Sequence, residues 1–168
     1  MEPLDFHTQA IEKLTRRYSN GIDNLITGND VLHTHVFKEY IPDFSLPQYD
    51  IFLTGGDAPV LSCQLDNGNF FLMTTTQMFS IYSGVFARMN YKDYLWYSHK
   101  VFKANGPLFS EKNVKTRTWK YYSTDRKEFW YEIDSIQPAD AADCCILYFA
   151  RKAYNVPPPS LDDPVWGG

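Results

Sequence analysis

The chain has 168 residues, 44% of them hydrophobic and 17% aromatic, with a formal charge of −4. One domain's length with this much apolar material excludes disorder and the need for stapling by disulfides or metals. The acidic balance argues against general nucleic-acid binding, and no apolar run approaches the roughly 18–20 residues of a membrane span.

The start, Met1-Glu2-Pro3-Leu4-Asp5, lacks the basic and apolar stretches of a secretory signal, so a cytoplasmic protein is expected. Three cysteines, Cys63 and the adjacent Cys144 and Cys145, make no disulfide framework and are expected to be reduced.

A helix is predicted over 1–21. Asp5 is a plausible N-cap, Phe6, Ala10, Ile11, Leu14 and Tyr18 share one face, and Asn20-Gly21 is a stop signal; Ile22 to Ile26 could add a further turn. From Val31 the pattern turns to strands, which run to residue 134. Val31–Phe37 and Tyr49–Leu53 are the first two, separated by a loop bracketed by Pro42 and Pro47. Asn67-Gly68 suits a two-residue type I′ turn, pairing Leu65 with Phe70, Cys63 with Leu72 and Leu61 with Thr74 on one apolar face. The opposite face would then hold Ser62, Gln64, Phe71 and Met73.

Met78–Ser83 and Val85–Tyr91 read as a second hairpin turning at Ser83-Gly84, and Tyr94–Val101 as an extension of the sheet. The stretch Ala104–Asn113 is expected to be an exposed loop. A long hairpin follows, Val114–Tyr122 and Glu128–Ile133. An odd-length loop places Trp119, Tyr121, Phe129, Tyr131 and Ile133 on one face and Thr118, Lys120, Trp130 and Glu132 on the other; an even loop would mix the two sets. The segment 138–154 is a closing helix with Pro138 in its first turn and Ala142, Cys145, Ile146, Phe149 and Ala153 as its buried stripe. The Pro-rich residues 156–168 read as an extended tail outside a single α+β domain of 1–155.

Antiparallel strands closed by one C-terminal helix resemble the pleckstrin-homology superfold in its bacterial or GRAM-like form. Asn69 to Phe79, with its Thr74-Thr75-Thr76 turn, resembles a strand–turn–strand of that family, and Met89 to Tyr94 resembles a later segment. The resemblance covers Val31 to Ala153 and implies a curled antiparallel sheet, as a barrel or sandwich. The closing helix carries Tyr148 and Phe149 where eukaryotic members have Trp, and the first hairpin lacks the basic loop of phosphoinositide binders, so no lipid specificity is implied. A shared fold names no function.

No catalytic, metal or nucleotide signature is complete, and no cofactor is implied. His33-x-His35 puts two imidazoles on one strand face, a weak start for a metal site without further ligands nearby. Gly55-Gly56-Asp57 lacks the spacing and Lys-Ser/Thr ending of a phosphate loop.

The uneven charge is more informative. Between Lys112 and Lys127 six basic residues face one acid, Asp125, a local +5 that leaves −9 elsewhere. Lys115, Arg117, Lys120, Arg126, Lys127 and Trp130 therefore form the candidate ligand-binding set, cations beside an indole. Such a face could take a protein partner or an anionic ligand such as a lipid headgroup, and less readily a nucleic-acid strand. The plain alternative is a solvated face in which Lys120 covers Trp130. The leading expectation is an interaction module. Its alternatives are an inhibitor or immunity-type protein, and an enzyme whose site is assembled from His33, His35 or His99 with distant carboxylates.

Overall fold

The computed structural model describes residues 1–17, 33–105, 115–135 and 137–168. The expected turn at Asn20-Gly21, the Ile22–Ile26 segment and most of the loop after Ala104 lie outside these.

Among the described residues three α-helices flank antiparallel sheets. Helix α1 (Pro3–Arg17) buries Phe6, Ala10 and Leu14, as its periodicity requires. Strand β1 (Thr34–Val36) is followed by the two-residue strands β2 (Ser45–Leu46) and β3 (Ile51–Phe52), which pair with each other. Strands β4 (Pro59–Gln64), β5 (Phe70–Thr74), β6 (Gln77–Tyr82) and β7 (Val85–Asn90) form a meander, and β1 pairs with β4. The five-stranded sheet thus runs β1-β4-β5-β6-β7. Strand β8 (Tyr94–Tyr97), β9 (Thr116–Ser123) and β10 (Glu128–Asp134) form a second sheet in the order β10-β9-β8.

Strand β10 lies against the first sheet. Phe71 stacks on Tyr131 at 4.1 Å, and the Ser80 hydroxyl donates to the Trp130 carbonyl at 2.7 Å. Among the described residues neither sheet closes on itself: β7 is an edge of the first, and β10 and β8 are the edges of the second. The architecture is α+β and mostly antiparallel, with no closed barrel among the described residues. Helix α3 (Gln137–Lys152) buries Ala142, Cys145, Ile146 and Phe149 and packs on α1, where the Phe6 and Phe149 rings lie 3.7 Å apart.

The long hairpin follows its predicted register, with Lys120 opposite Trp130 and Trp119 opposite Tyr131. The Ser83-Gly84 turn is also as expected, both residues having positive φ between the paired Tyr82 and Val85.

Three expectations need correction. The first hairpin pairs Cys63 with Phe71 and Leu61 with Met73, one residue away from the expected register. Asp66 and Asn67 occupy the turn centre and Gly68, at φ +90°, serves as a left-handed bulge, so that Leu65 N–H reaches the Asn69 carbonyl. Side chains decide the choice: Asn67 and Asn69 both donate to Glu132, and the Asn69 N–H donates to the Asn67 side chain. Phe71 and Met73 consequently belong to the main core, while Phe70 and Leu72 join a smaller cluster with Ile51, Leu53 and Phe79 on the other face.

Second, Tyr94–Val101 does not extend the first sheet. Strand β8 belongs to the second, and residues His99–Ala104 form helix α2, capped by Ser98 Oγ accepting from the Val101 N–H.

Third, the tail does not stand outside the domain. Val156, Pro159 and Val165 are buried, Trp166 packs against Trp96 and His99, and the Gly168 carbonyl accepts from the Lys100 N–H. Arg151 of α3 ties its start down by donating to the Val156 carbonyl.

Candidate functional site

Alternation along β9 and β10 builds the candidate face. Odd-numbered side chains enter the core, so Lys120, Tyr122, Glu128 and Trp130 stand on the outer surface. The Tyr82 ring, arriving from β6, stacks on Trp130 with centroids 5.6 Å apart. Lys120 Nζ sits 5.3 Å from the Trp130 ring centre and 4.8 Å from that of Tyr122. It also pairs with Glu128 at 2.8 Å, and Glu128 accepts from Trp130 Nε1 at 3.0 Å. Hydrogen bonds from Lys120 and Trp130 hold the Glu128 carboxyl below its usual range. Burial lowers the Lys120 ammonium, but its bonds to Glu128 and Tyr122 outweigh this and raise it. The indole is thus covered by a lysine whose charge is already matched.

Two further cations, Arg126 and Lys127, are also paired with acids. Arg126 sits in the turn with φ 66°, bonds the Thr124 carbonyl and forms an ion pair with Asp163 of the tail. Lys127 lies 3.4 Å from Asp125. The hydrogen bond from Ser123, followed by the Lys127 charge, lowers the Asp125 carboxyl. Lys115 is exposed at the foot of β9.

Arg117 is the exception, and its assignment to this face is corrected. It is only 3% exposed, donates to the Phe102 carbonyl at 3.1 Å, and lays its guanidinium over the Phe102 ring at 4.4 Å. The parity that sends Trp119 and Tyr121 inward sends Arg117 with them, a signal already present in the hairpin register.

Beside this layered stack runs a groove that sequence reasoning missed. Tyr82, Val85, Ala87, Glu128 and Trp130 line a hollow of about 350 Å³ between β10 and the β6–β7 hairpin. Past Ala87 a second, more polar hollow of about 530 Å³ lies between β7 and the Ser123–Glu128 turn. Val85 is 67% exposed and Phe86 48%, high for large apolar side chains. A Val-Phe pair straight after a Ser-Gly turn was the available clue, because a hairpin end has little to cover it.

The histidines are not gathered into one site. His33 lies 3.3 Å from both Asp134 and Asp66, His35 meets the Phe37 ring edge-on, His7 bonds the Phe37 carbonyl, and His99 sits with Trp96, Tyr97 and Trp166. No group of three or more potential metal ligands occurs among the described residues. Asp134 is buried and receives Thr34, the His33 backbone and Cys63; burial and then the Asp134 charge push the Cys63 thiol up to about 12, far from a nucleophile's range. Asp57 is buried too, and accepts from Thr74, Thr75 and Gln77. These carboxylates fasten loops and strand ends.

No described helix is long and apolar enough to cross a membrane. Comparison with protein-family models, curated proteins and solved structures finds no match for this chain.

Proposed function

We propose that this chain is an interaction module that takes a protein partner on the outer face of the β9–β10 hairpin and in the adjoining groove. The observation that carries this reading is the stacked Tyr82–Trp130 pair, half-buried beside an apolar hollow edged by the Lys120–Glu128 ion pair. An aromatic anchor beside a hollow, rimmed by matched charges, is the composition of a protein-binding hot spot.

The pairing of Lys120, Arg126 and Lys127 with acids favours a protein over a small anion, which would have to displace those carboxylates. Kinship with PH-like domains is supported by the order of elements, antiparallel strands followed by a helix against the last strand. The open edges at β7 and β10 are where this chain departs from a closed form.

The test is affinity capture with mass spectrometry, comparing the wild type with Trp130→Ala and Val85→Asp. A partner bound by the wild type should be weakened about 30-fold by Trp130→Ala, the equivalent of roughly 2 kcal/mol. Val85→Asp, at an exposed position, should act similarly with unfolding temperature unchanged. A partner retained equally by both folded variants overturns the assignment of this face.

A further inference from the structure

From the edge of the first sheet we infer that β7 pairs antiparallel with β7 of a second copy, joining two five-stranded sheets into one continuous sheet. This goes beyond the groove reading and rests on the outward backbone of β7 with its Phe86 and Arg88 side chains, Val85 and Ala87 being shared with the groove.

The two-residue turn makes Tyr82–Val85 a hydrogen-bonded pair, so Val85, Ala87 and Met89 direct their backbone groups toward β6. Those of Phe86 and Arg88 point away from the sheet, with no partner among the described residues, whereas the Asn90 carbonyl already opens the 3-10 turn at Tyr91–Asp93. Edges are ordinarily blunted by proline, lysine, bulges or a covering segment. Strand β7 reads Val-Phe-Ala-Arg-Met-Asn, regularly paired with β6 along its whole length, and Arg88 is its single charge.

Symmetry selects one register. Outward groups must meet outward groups, so residues 86 and 88 of one copy bond 86 or 88 of the other. A two-fold axis at Arg88 would set two guanidinium groups face to face. An axis at Phe86 would leave most of the strand unpaired. An axis at Ala87 places Phe86 opposite the second copy's Arg88 and Arg88 opposite the second copy's Phe86, two cation–π pairs on the face away from β10. On the other face Val85 meets Met89 at each end and Ala87 meets Ala87 at the centre. Every residue from Val85 to Met89 gains a chemically compatible neighbour, four backbone hydrogen bonds form, and the exposed Val85 and Phe86 are covered. The hollow between β7 and the Ser123–Glu128 turn leaves room on that side for the incoming Val85.

Sedimentation equilibrium across micromolar to millimolar concentrations tests this with the purified chain alone, so it is independent of any other partner. The expected result is a monomer–dimer equilibrium that shifts to monomer by at least tenfold in Arg88→Pro. That substitution removes an outward N–H while leaving the β6 ladder whole. Ala87→Cys gives a second readout that does not depend on that variant folding. Across a non-hydrogen-bonded pair the two Cα atoms stand about 4.5 Å apart, within disulfide reach, so mild oxidation should cross-link Ala87→Cys into a dimer. A wild type that stays monomeric throughout, or a dimer that neither loses affinity in folded Arg88→Pro nor cross-links at position 87, overturns the inference.

Discussion

Phe71 and Tyr131 stack across the two sheets, with ring centroids 4.1 Å apart and planes 16° from parallel. Both are fully buried, and the Tyr131 hydroxyl shares a 2.7 Å hydrogen bond with Tyr121, which in turn donates to Asp143 of α3. A chain of three contacts therefore links the five-stranded sheet to the hairpin, and the hairpin to the closing helix. Phe71→Ala should cost about 3–5 kcal/mol, read as a lowered urea midpoint. Phe86→Ala, on the exposed edge, should leave the monomer's stability nearly unchanged.

The His33 imidazole lies between Asp134 and Asp66. Burial lowers its pKa, but the hydrogen bonds and charges of the two carboxylates outweigh this and lift it above the ordinary 6.5. A raised folded-state pKa means that protonated His33 stabilises the fold below the unfolded value, and that this benefit is lost as pH rises through the folded value. The stability difference between wild type and His33→Asn should be largest in mild acid and shrink above neutrality. Urea midpoints between about pH 5.5 and 8 would show it; a constant or growing difference would contradict it.

At Arg126 two effects oppose each other. Its φ of 66° is costly for a side-chain-bearing residue, while its guanidinium pairs with Asp163. Arg126→Gly relieves the first and loses the second; Arg126→Ala loses the pair and keeps most of the cost. The glycine variant should therefore exceed the alanine variant by about 1 kcal/mol in chemical unfolding.

Gly168 lies against Tyr122, and a β-carbon added there would collide with the tyrosine hydroxyl. Gly168→Ala, like Trp166→Ala, should loosen the docked tail while leaving the sheets intact. Faster proteolysis within 157–163, without a matching fall in the main unfolding transition, is the expected signature.

What could be read from the sequence depended on alternation. Strands β9 and β10 switch between apolar and polar at every residue, so one odd-loop register satisfied them and the structure follows it. Strand β5 is Phe-Phe-Leu-Met-Thr, buried on both faces, and an uninterrupted apolar run carries no parity to fix its pairing. There the register was set by two asparagines reaching Glu132, more than sixty residues away, a contact that local reading cannot supply. Of the candidate cations, Arg117 turns inward, and the acids that pair with Lys120 and Arg126 lay outside the candidate set. Glu128 was available across the strand pair, whereas Asp163 lies in a tail with no periodicity to announce its docking. The groove was missed because it is made by two hairpins that are not neighbours in sequence.

The Asp134 carboxylate has a bearing on how the chain assembles. It accepts from Thr34, 100 residues earlier, and so the last residue of β10 latches the first residue of β1. β1 is three residues long and, among the described residues, borders β4 alone, so its seating depends on a latch that the long hairpin supplies. The expected outcome is that β1 docks late in folding, and that hydrogen exchange finds its bonded amides opening before those of β4–β6.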